Sequence, residues 1–164
     1  MKEKILHPFE PIYDGESRIL ILGTMPSPKS RELMFYYGHP QNRFWRILAD
    51  LFTEPPLQTV EEKVCFLHEH HIALWDVLAS CEIKGADDAS IRNPVPNDLT
   101  RIFSASPIRA VFTNGQKASA CYRKYFGNTI SAPQISLPST SPANCRNQTF
   151  ETLRDAYKVI LDYL

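Results

Sequence analysis

Long apolar runs are missing from this 164-residue chain. Its longest aliphatic run is Ile19-Leu20-Ile21-Leu22, far short of the ~18 residues needed to cross a bilayer, so no membrane partner is expected. The N-terminus MKEKILHPFEP lacks the apolar core and small-residue cleavage site of a signal peptide, which points to a cytoplasmic protein. Cysteines stand at 65, 81, 121 and 145 with no CxxC pair among them. A zinc site or iron–sulfur cluster built from these alone is not expected, and they read as reduced thiols behaving as small apolar residues. No metal and no cofactor is expected. Internal repeats and low-complexity tracts are also missing. What is present is ordinary globular composition, 43% apolar and 22% charged, which excludes disorder. The length fits one domain spanning residues 1–164, expected to be a monomer.

Net charge is absent too. Eighteen basic residues balance eighteen acidic ones, which taken alone argues against a nucleic-acid binder. The distribution argues otherwise. Residues 24–46 hold Lys29, Arg31, Arg43 and Arg46 against Glu32 alone. Residues 47–98 hold ten acids against three bases. Residues 99–150 contain no Asp or Glu, yet hold Arg101, Arg109, Lys117, Arg123, Lys124 and Arg146. Such segregation gives one positive face and one negative back, or is chance clustering on solvated surfaces.

Hydrophobic periodicity predicts alternating strands and helices. Arg18–Gly23 (RILILG), Ile72–Leu78 (IALWDVL), Ile108–Thr113 (IRAVFT) and Gln134–Leu137 read as strands. Helices are expected over Asn42–Phe52, from Thr59 (an N-cap with Glu62 in a capping box) to about His70, from Asn97 or Asp98 through Phe103, over Gln116–Tyr125 and over Phe150–Leu164. The last should place Leu153, Tyr157, Ile160, Leu161 and Leu164 on one stripe. Between about Ala79 and Pro96 a long polar loop is expected. This alternation predicts an α/β, three-layer, doubly wound sheet of about four mainly parallel strands with helices on both faces. Ligands bind such sheets at the carboxyl ends of the strands, here Gly23–Pro26, Asp76-Val77, Asn114-Gly115 and Pro138–Pro142.

Several residues near those ends could carry chemistry or simply structure. Asn42 precedes a helix and could be its N-cap. Tyr36 and Tyr37 could pack a loop. His39, before Pro40, could bind a phosphate or a backbone group, or make a loop hydrogen bond. Asp76 could cap a turn, pair with a base, or accept from a ligand. Asn114 could face a pocket or cap the next helix. Ser139, Thr140 and Ser141, stiffened by Pro138 and Pro142, offer hydroxyls and amides suited to phosphate, or form an ordinary turn. His68, His70 and His71 in HEHH read as helix C-terminal residues favoured by the dipole, since a metal site there lacks an identified further ligand.

The stretch GTMPSPKSRELMFYYGHPQNRFWRIL (Gly23–Leu48) resembles the first motif of the uracil-DNA glycosylase superfamily: a strand, a Gly-x-x-Pro loop, an aromatic, then a helix entered through His-Pro-x-Asn-x-Phe-Trp. LPSTSPAN (Leu137–Asn144) is similar to the Pro-Ser loop that pinches DNA in these enzymes. WDVLASC (Trp75–Cys81) and NPVPND (Asn93–Asp98) extend the likeness to the hypoxanthine-DNA glycosylase branch, over essentially the whole chain.

That resemblance implies specific roles. Uracil-cleaving relatives carry Asn or Asp after Gly-x to orient the attacking water. This chain has Met25 there, which is neither a base nor a strong acceptor. In the hypoxanthine branch the catalytic role falls to the Asn of GHPxN, which is Asn42. Tyr37 takes the place of the aromatic that stacks on a flipped base, and Gly23, Met25, His39, Asp76 and Asn114 line the base pocket. A carboxylate at Asp76 would accept from a purine N–H such as hypoxanthine N1–H. Ser139, Thr140, Ser141, Pro142, Arg43 and Arg146 would contact DNA, the expected partner. Ser27 replaces a glycine usual in this loop, which puts the loop's backbone in question. Together these imply a monofunctional glycosylase hydrolysing the N-glycosidic bond of a flipped, deaminated base, hypoxanthine first, in base-excision repair. No lysine sits where Schiff-base chemistry would need one. Three alternatives stand beside this: a uracil or mismatched-thymine glycosylase of the same fold, a non-catalytic nucleic-acid binding module, and a hydrolase of free nucleosides.

Overall fold

The computed structural model describes residues 2–144 and 148–164. Strands β2 (Ile19–Gly23), β3 (Ile72–Asp76), β6 (Ala110–Asn114) and β7 (Gln134–Leu137) form a parallel sheet in the order β3-β2-β6-β7. The first three are buried at every position. That is why they read as unbroken apolar runs rather than as alternation. Their register sets Gly23 opposite Asp76, Leu22 opposite Thr113, and Asn114 opposite Leu137.

From β2 the chain crosses to β3 on one side through α1 (Pro28–Leu33), α2 (Phe44–Leu51) and α3 (Val60–Glu69). From β6 it crosses the other way to β7 through α5 (Gln116–Phe126). Right-handed crossovers in opposite directions put these helices on opposite faces. The closing helix α6 (Phe150–Tyr157) packs on α2. Strand order reverses between β2 and β6, so a crevice opens at their carboxyl ends.

The segment 79–96 departs from expectation. Instead of a polar loop it forms a hairpin, β4 (Leu78–Lys84) and β5 (Asp87–Pro96), which joins β1 (Glu3–Leu6) in a second, antiparallel sheet of order β1-β4-β5. Leu78, Cys81, Ile83 and Ile91 face the core. Register shifts between β4 and β5 break the strict two-residue alternation that would mark a strand. Acids and prolines along β5 keep its edge from pairing further.

Smaller differences have local causes. The expected Asn42 helix begins at Phe44. The N-cap of the short α4 (Thr100–Phe103) is Leu99 rather than Asn97 or Asp98, while Asp98 supports its first turn by accepting from the Thr100 amide at 3.0 Å and hydroxyl at 2.6 Å. Thr59 caps α3 as expected, accepting from the Glu62 amide at 3.1 Å, while the Glu62 carboxylate reaches one residue further back, to the Gln58 amide at 3.0 Å. After Tyr157 the closing helix tightens to a 3₁₀ helix over Lys158–Tyr163. Three residues per turn bury Ile160 beneath Tyr157 and leave Leu161 exposed. Among the described residues no helix is long and apolar enough to cross a membrane.

Candidate active site

A cavity of about 800 Å³ opens at the carboxyl ends of the parallel strands. Its wall is assembled from segments far apart in sequence: Gly23–Ser30 after β2, Tyr36 to Asn42 before α2, Asp76 at the end of β3, the β4–β5 hairpin tip at Gly85–Ala89, Asn114 at the end of β6, and Ser139–Ala143 after β7. Gly23, Met25, Tyr37, His39, Asn42, Asp76, Asn114, Ser139, Thr140, Ser141 and Pro142 therefore all reach one cavity.

Asp76 is buried and engaged. Its Oδ2 lies 2.7 Å from His7 Nε2, with the two side chains only 5% and 4% exposed. Strand β1 brings His7 there. It pairs with β4, which follows β3 after a single residue, and the His7 amide donates to the Ala79 carbonyl at 2.8 Å. Asn97 steadies the backbone around Asp76, its Nδ2 donating to the carbonyls of Asp76 at 2.9 Å and Leu78 at 3.1 Å. Gly23 is required beneath this carboxylate. A Cβ there would lie 2.5 Å from Asp76 Oδ1 and 3.1 Å from the Tyr37 hydroxyl.

Tyr37 adopts a left-handed backbone, φ 51°, a conformation costing a non-glycine residue about 1 kcal/mol or more. Its ring stacks on Phe44 at 4.0 Å between centroids, with 25° between planes. Burial, and then the charge of Asp76, push its hydroxyl well above the ordinary phenol range, with the Asn114 side chain acting in the opposite sense. Tyr36, whose hydroxyl donates to the Glu10 carbonyl at 2.8 Å, is likewise raised by burial.

Asn42 turns its side chain to the start of α2. Its Oδ1 accepts from the Phe44 amide at 3.0 Å. This is a capping contact, yet the residue stays partly exposed on the cavity wall, and an amide oxygen has a second lone pair for a water. His39 makes the loop hydrogen bond, its Nδ1 accepting from the Gln41 amide at 3.1 Å.

The loop after β7 is fastened from both sides. Asn114 Nδ2 donates to Thr140 Oγ1 at 3.0 Å and Asn114 Oδ1 accepts from the Thr140 amide at 3.1 Å. The cap of α5 is instead Gly115, at φ 98°. Ser139 Oγ accepts from the Ser141 amide at 3.1 Å, and the Ser139 carbonyl accepts from Asn144 Nδ2 at 2.9 Å.

Residues 10–164 match the family model described as the uracil DNA glycosylase superfamily. The chain belongs to the uracil DNA glycosylase superfamily. Two similar proteins are named hypoxanthine DNA glycosylase. That of Methanosarcina acetivorans is 34% identical over 141 residues, 84% of this chain and 87% of its own. That of Methanosarcina barkeri is 34% identical over 113 residues, 67% and 71% of the two chains. A solution NMR structure of a Methanosarcina acetivorans protein classed with the uracil DNA glycosylases superposes with a TM-score of 0.80 at 29% identity, covering 96% of this chain and 99% of that one.

Within this superfamily fold, Ser27 resolves simply. At φ −63° it needs no glycine, and its hydroxyl caps α1 by accepting from the Ser30 amide. Ser30 Oγ in turn accepts from the Gly38 amide at 2.9 Å and ties the loop to the Tyr37 turn.

One expected DNA contact changes. Arg43 is only 8% exposed and its Nη1 donates to the Gln148 carbonyl at 2.6 Å, while its amide donates to the Thr140 carbonyl at 3.2 Å. It ties α2 to the Pro-Ser loop from within and is not a surface charge. Arg146 lies outside the described residues. The basic segments are also partly neutralised, since Arg101 pairs with Glu10 at 2.9 Å and Lys29 lies 3.6 Å from Glu32. Of the HEHH histidines, His70 meets Glu54 at 3.0 Å and His68 meets Asp14 at 3.0 Å. Glu54, Glu69 and His70 approach one another near the surface, where His70 also stacks on Phe52.

Sequence reading missed His7 and the hairpin tip. His7 sits in a segment with no motif, and its partner is 69 residues away. The HPF that contains it gave no signal of its own.

Proposed function

We propose that this chain is a monofunctional DNA glycosylase that hydrolyses the N-glycosidic bond of a deaminated base flipped out of DNA, with hypoxanthine preferred, and so initiates base-excision repair. The observation that carries this reading is the convergence of Tyr37, Asn42, Asp76 and the Pro-Ser loop on one cavity at the sheet's switch point. Family membership and the two hypoxanthine-glycosylase relatives support it.

The chemistry follows from the groups at hand. Flipping costs a few kcal/mol, least for a poorly paired base. Tyr37, held by Phe44, lies against the base. Asp76 accepts from its N–H edge and so selects and places it. As the C1′–N bond breaks, the bonding pair leaves with the base and the sugar becomes oxocarbenium-like, so a strong nucleophile is unnecessary. Asn42 holds the water whose oxygen then bonds to C1′ and whose proton is released. The amide needs no ionisation for this, which suits a site where Met25 stands in place of a polar residue. The clamped loop after β7 holds the DNA backbone.

A panel of labelled oligonucleotides, each carrying one altered base, tests the reading. Hypoxanthine should be released, leaving an abasic site that breaks only on later alkaline treatment. Release of uracil but not hypoxanthine would move the assignment to a uracil glycosylase. Binding without release of any base would move it to a binding module.

A further inference from the structure

Asp76 is approached by only one side of His7, and the other side of that ring is telling. His7 Nδ1 is buried and has no hydrogen-bond partner among the described residues. A proton there would leave a buried N–H with no acceptor, at the cost of its desolvation. The ring is fixed edge-on to Phe9 at 4.9 Å and to Trp75 at 6.4 Å. These constraints place a ring proton on Nε2, donating to Asp76 Oδ2 at 2.7 Å. One carboxylate oxygen is thereby occupied. The other, Oδ1, lies over Gly23 on the Tyr37 side of the cavity wall.

We propose that His7 is a positioning residue. It locks Asp76 as a one-oxygen, acceptor-only probe of the base edge, and the pair separates hypoxanthine from undamaged adenine. The inference rests on the reading of Asp76 given above. Hypoxanthine carries a donor, N1–H, where adenine carries a lone pair at N1. A fixed acceptor oxygen bonds the first and faces lone pair to lone pair with the second. A carboxylate free to turn, or an amide able to present N–H, would discriminate less. Discrimination by an unpaired polar group is the kind that hydrophobic fit cannot supply. Uracil also has an N–H donor, so the pair sorts donors from acceptors, while cavity shape sorts purine from pyrimidine.

Three measurements test this. In the unaltered chain, ¹⁵N NMR of the histidine side chains should place a proton on His7 Nε2; a bare Nε2 would overturn the proposal whatever the enzyme cuts. Single-turnover excision and inhibition by free bases are then compared for the parent, His7→Phe and His7→Gln. In His7→Phe, hypoxanthine excision should fall on the order of 10–100-fold, the scale of losing a charge-assisted hydrogen bond. The preference for free hypoxanthine over free adenine should narrow with it. His7→Gln, whose amide can reach the same oxygen, should recover most of both. A folded His7→Phe with the parent's base preference, or a folded His7→Gln as impaired as His7→Phe, would reduce His7 to packing. If His7→Phe fails to fold, the flexible, donor-free His7→Met takes its place in the comparison. A parent that leaves hypoxanthine uncut defeats the proposed function. A parent that cuts it while the variants keep its base preference defeats only this inference.

Discussion

Asn114 and Thr140 hold each other by two hydrogen bonds, side-chain amide to hydroxyl at 3.0 Å and backbone amide to side-chain oxygen at 3.1 Å. Thr140 is completely buried, so neither of its groups can turn to water. Asn114→Ala should therefore orphan a buried N–H and cost roughly 1–3 kcal/mol. It should also lower excision, because the loop after β7 loses its tether to β6. Chemical denaturation and single-turnover kinetics on the same preparation check both effects. Unchanged stability would mean that the loop re-pairs elsewhere.

Asn42→Ala separates catalysis from structure. Excision should fall by ~100-fold or more, the range for removing one preorganised polar group. The capping contact to the Phe44 amide should cost up to about 1 kcal/mol in stability. DNA affinity should be nearly unchanged. A variant that cuts at the parent's rate ends the assignment of Asn42 as the water-positioning group.

Asp76→Asn keeps an acceptor oxygen but adds a competing donor and removes the charge. Hypoxanthine excision should drop on the order of 10–100-fold, more than any excision of a base that offers no N–H to this carboxylate. Equal losses on every base would leave Asp76 a structural residue beneath His7.

Charge reversal at two basic positions should have opposite signatures. Lys29→Glu, on the cavity wall and partly exposed, should weaken DNA binding and flatten its salt dependence, since fewer counterions are released. Arg43→Glu should instead destabilise the fold by roughly 3 kcal/mol or more, because it buries an uncompensated carboxylate and cuts the tie to Gln148. Salt titrations of binding and thermal melts distinguish the two.

Alkaline pH should unfold the chain through its buried tyrosines. Burial pushes the Tyr122 hydroxyl up to about 12, and Tyr157 and Tyr37 are raised by the same cause. A phenol whose folded value is raised contributes stability that is whole below its unfolded value near 10 and is lost as pH climbs through the folded value. Denaturation midpoints should thus fall between roughly pH 10 and pH 12. Tyr122→Phe, which removes a buried hydroxyl with no partner among the described residues, should soften that decline without lowering stability at neutral pH. An equally steep decline in this variant would shift the effect to the other tyrosines.

Much of this protein was legible in its residue pattern. The first three parallel strands, the crevice at their ends and the segments lining it follow from apolar runs terminated by Gly23, Asp76 and Asn114, because a strand buried on both faces reads as a near-continuous apolar run. The second sheet was not legible. Bulges in the β4–β5 pairing erase the alternation, and β1 is four residues long with a mostly exposed pattern. Arg43 shows the same limit. Sequence records its charge, whereas burial against the loop before α6 makes it a tie rather than a surface cation. The pairing of His7 with Asp76 was decided by tertiary structure alone. Local sequence determines backbone preference and hydrophobic face over a few residues. Which side chains meet across 69 positions depends on how two sheets pack around one core.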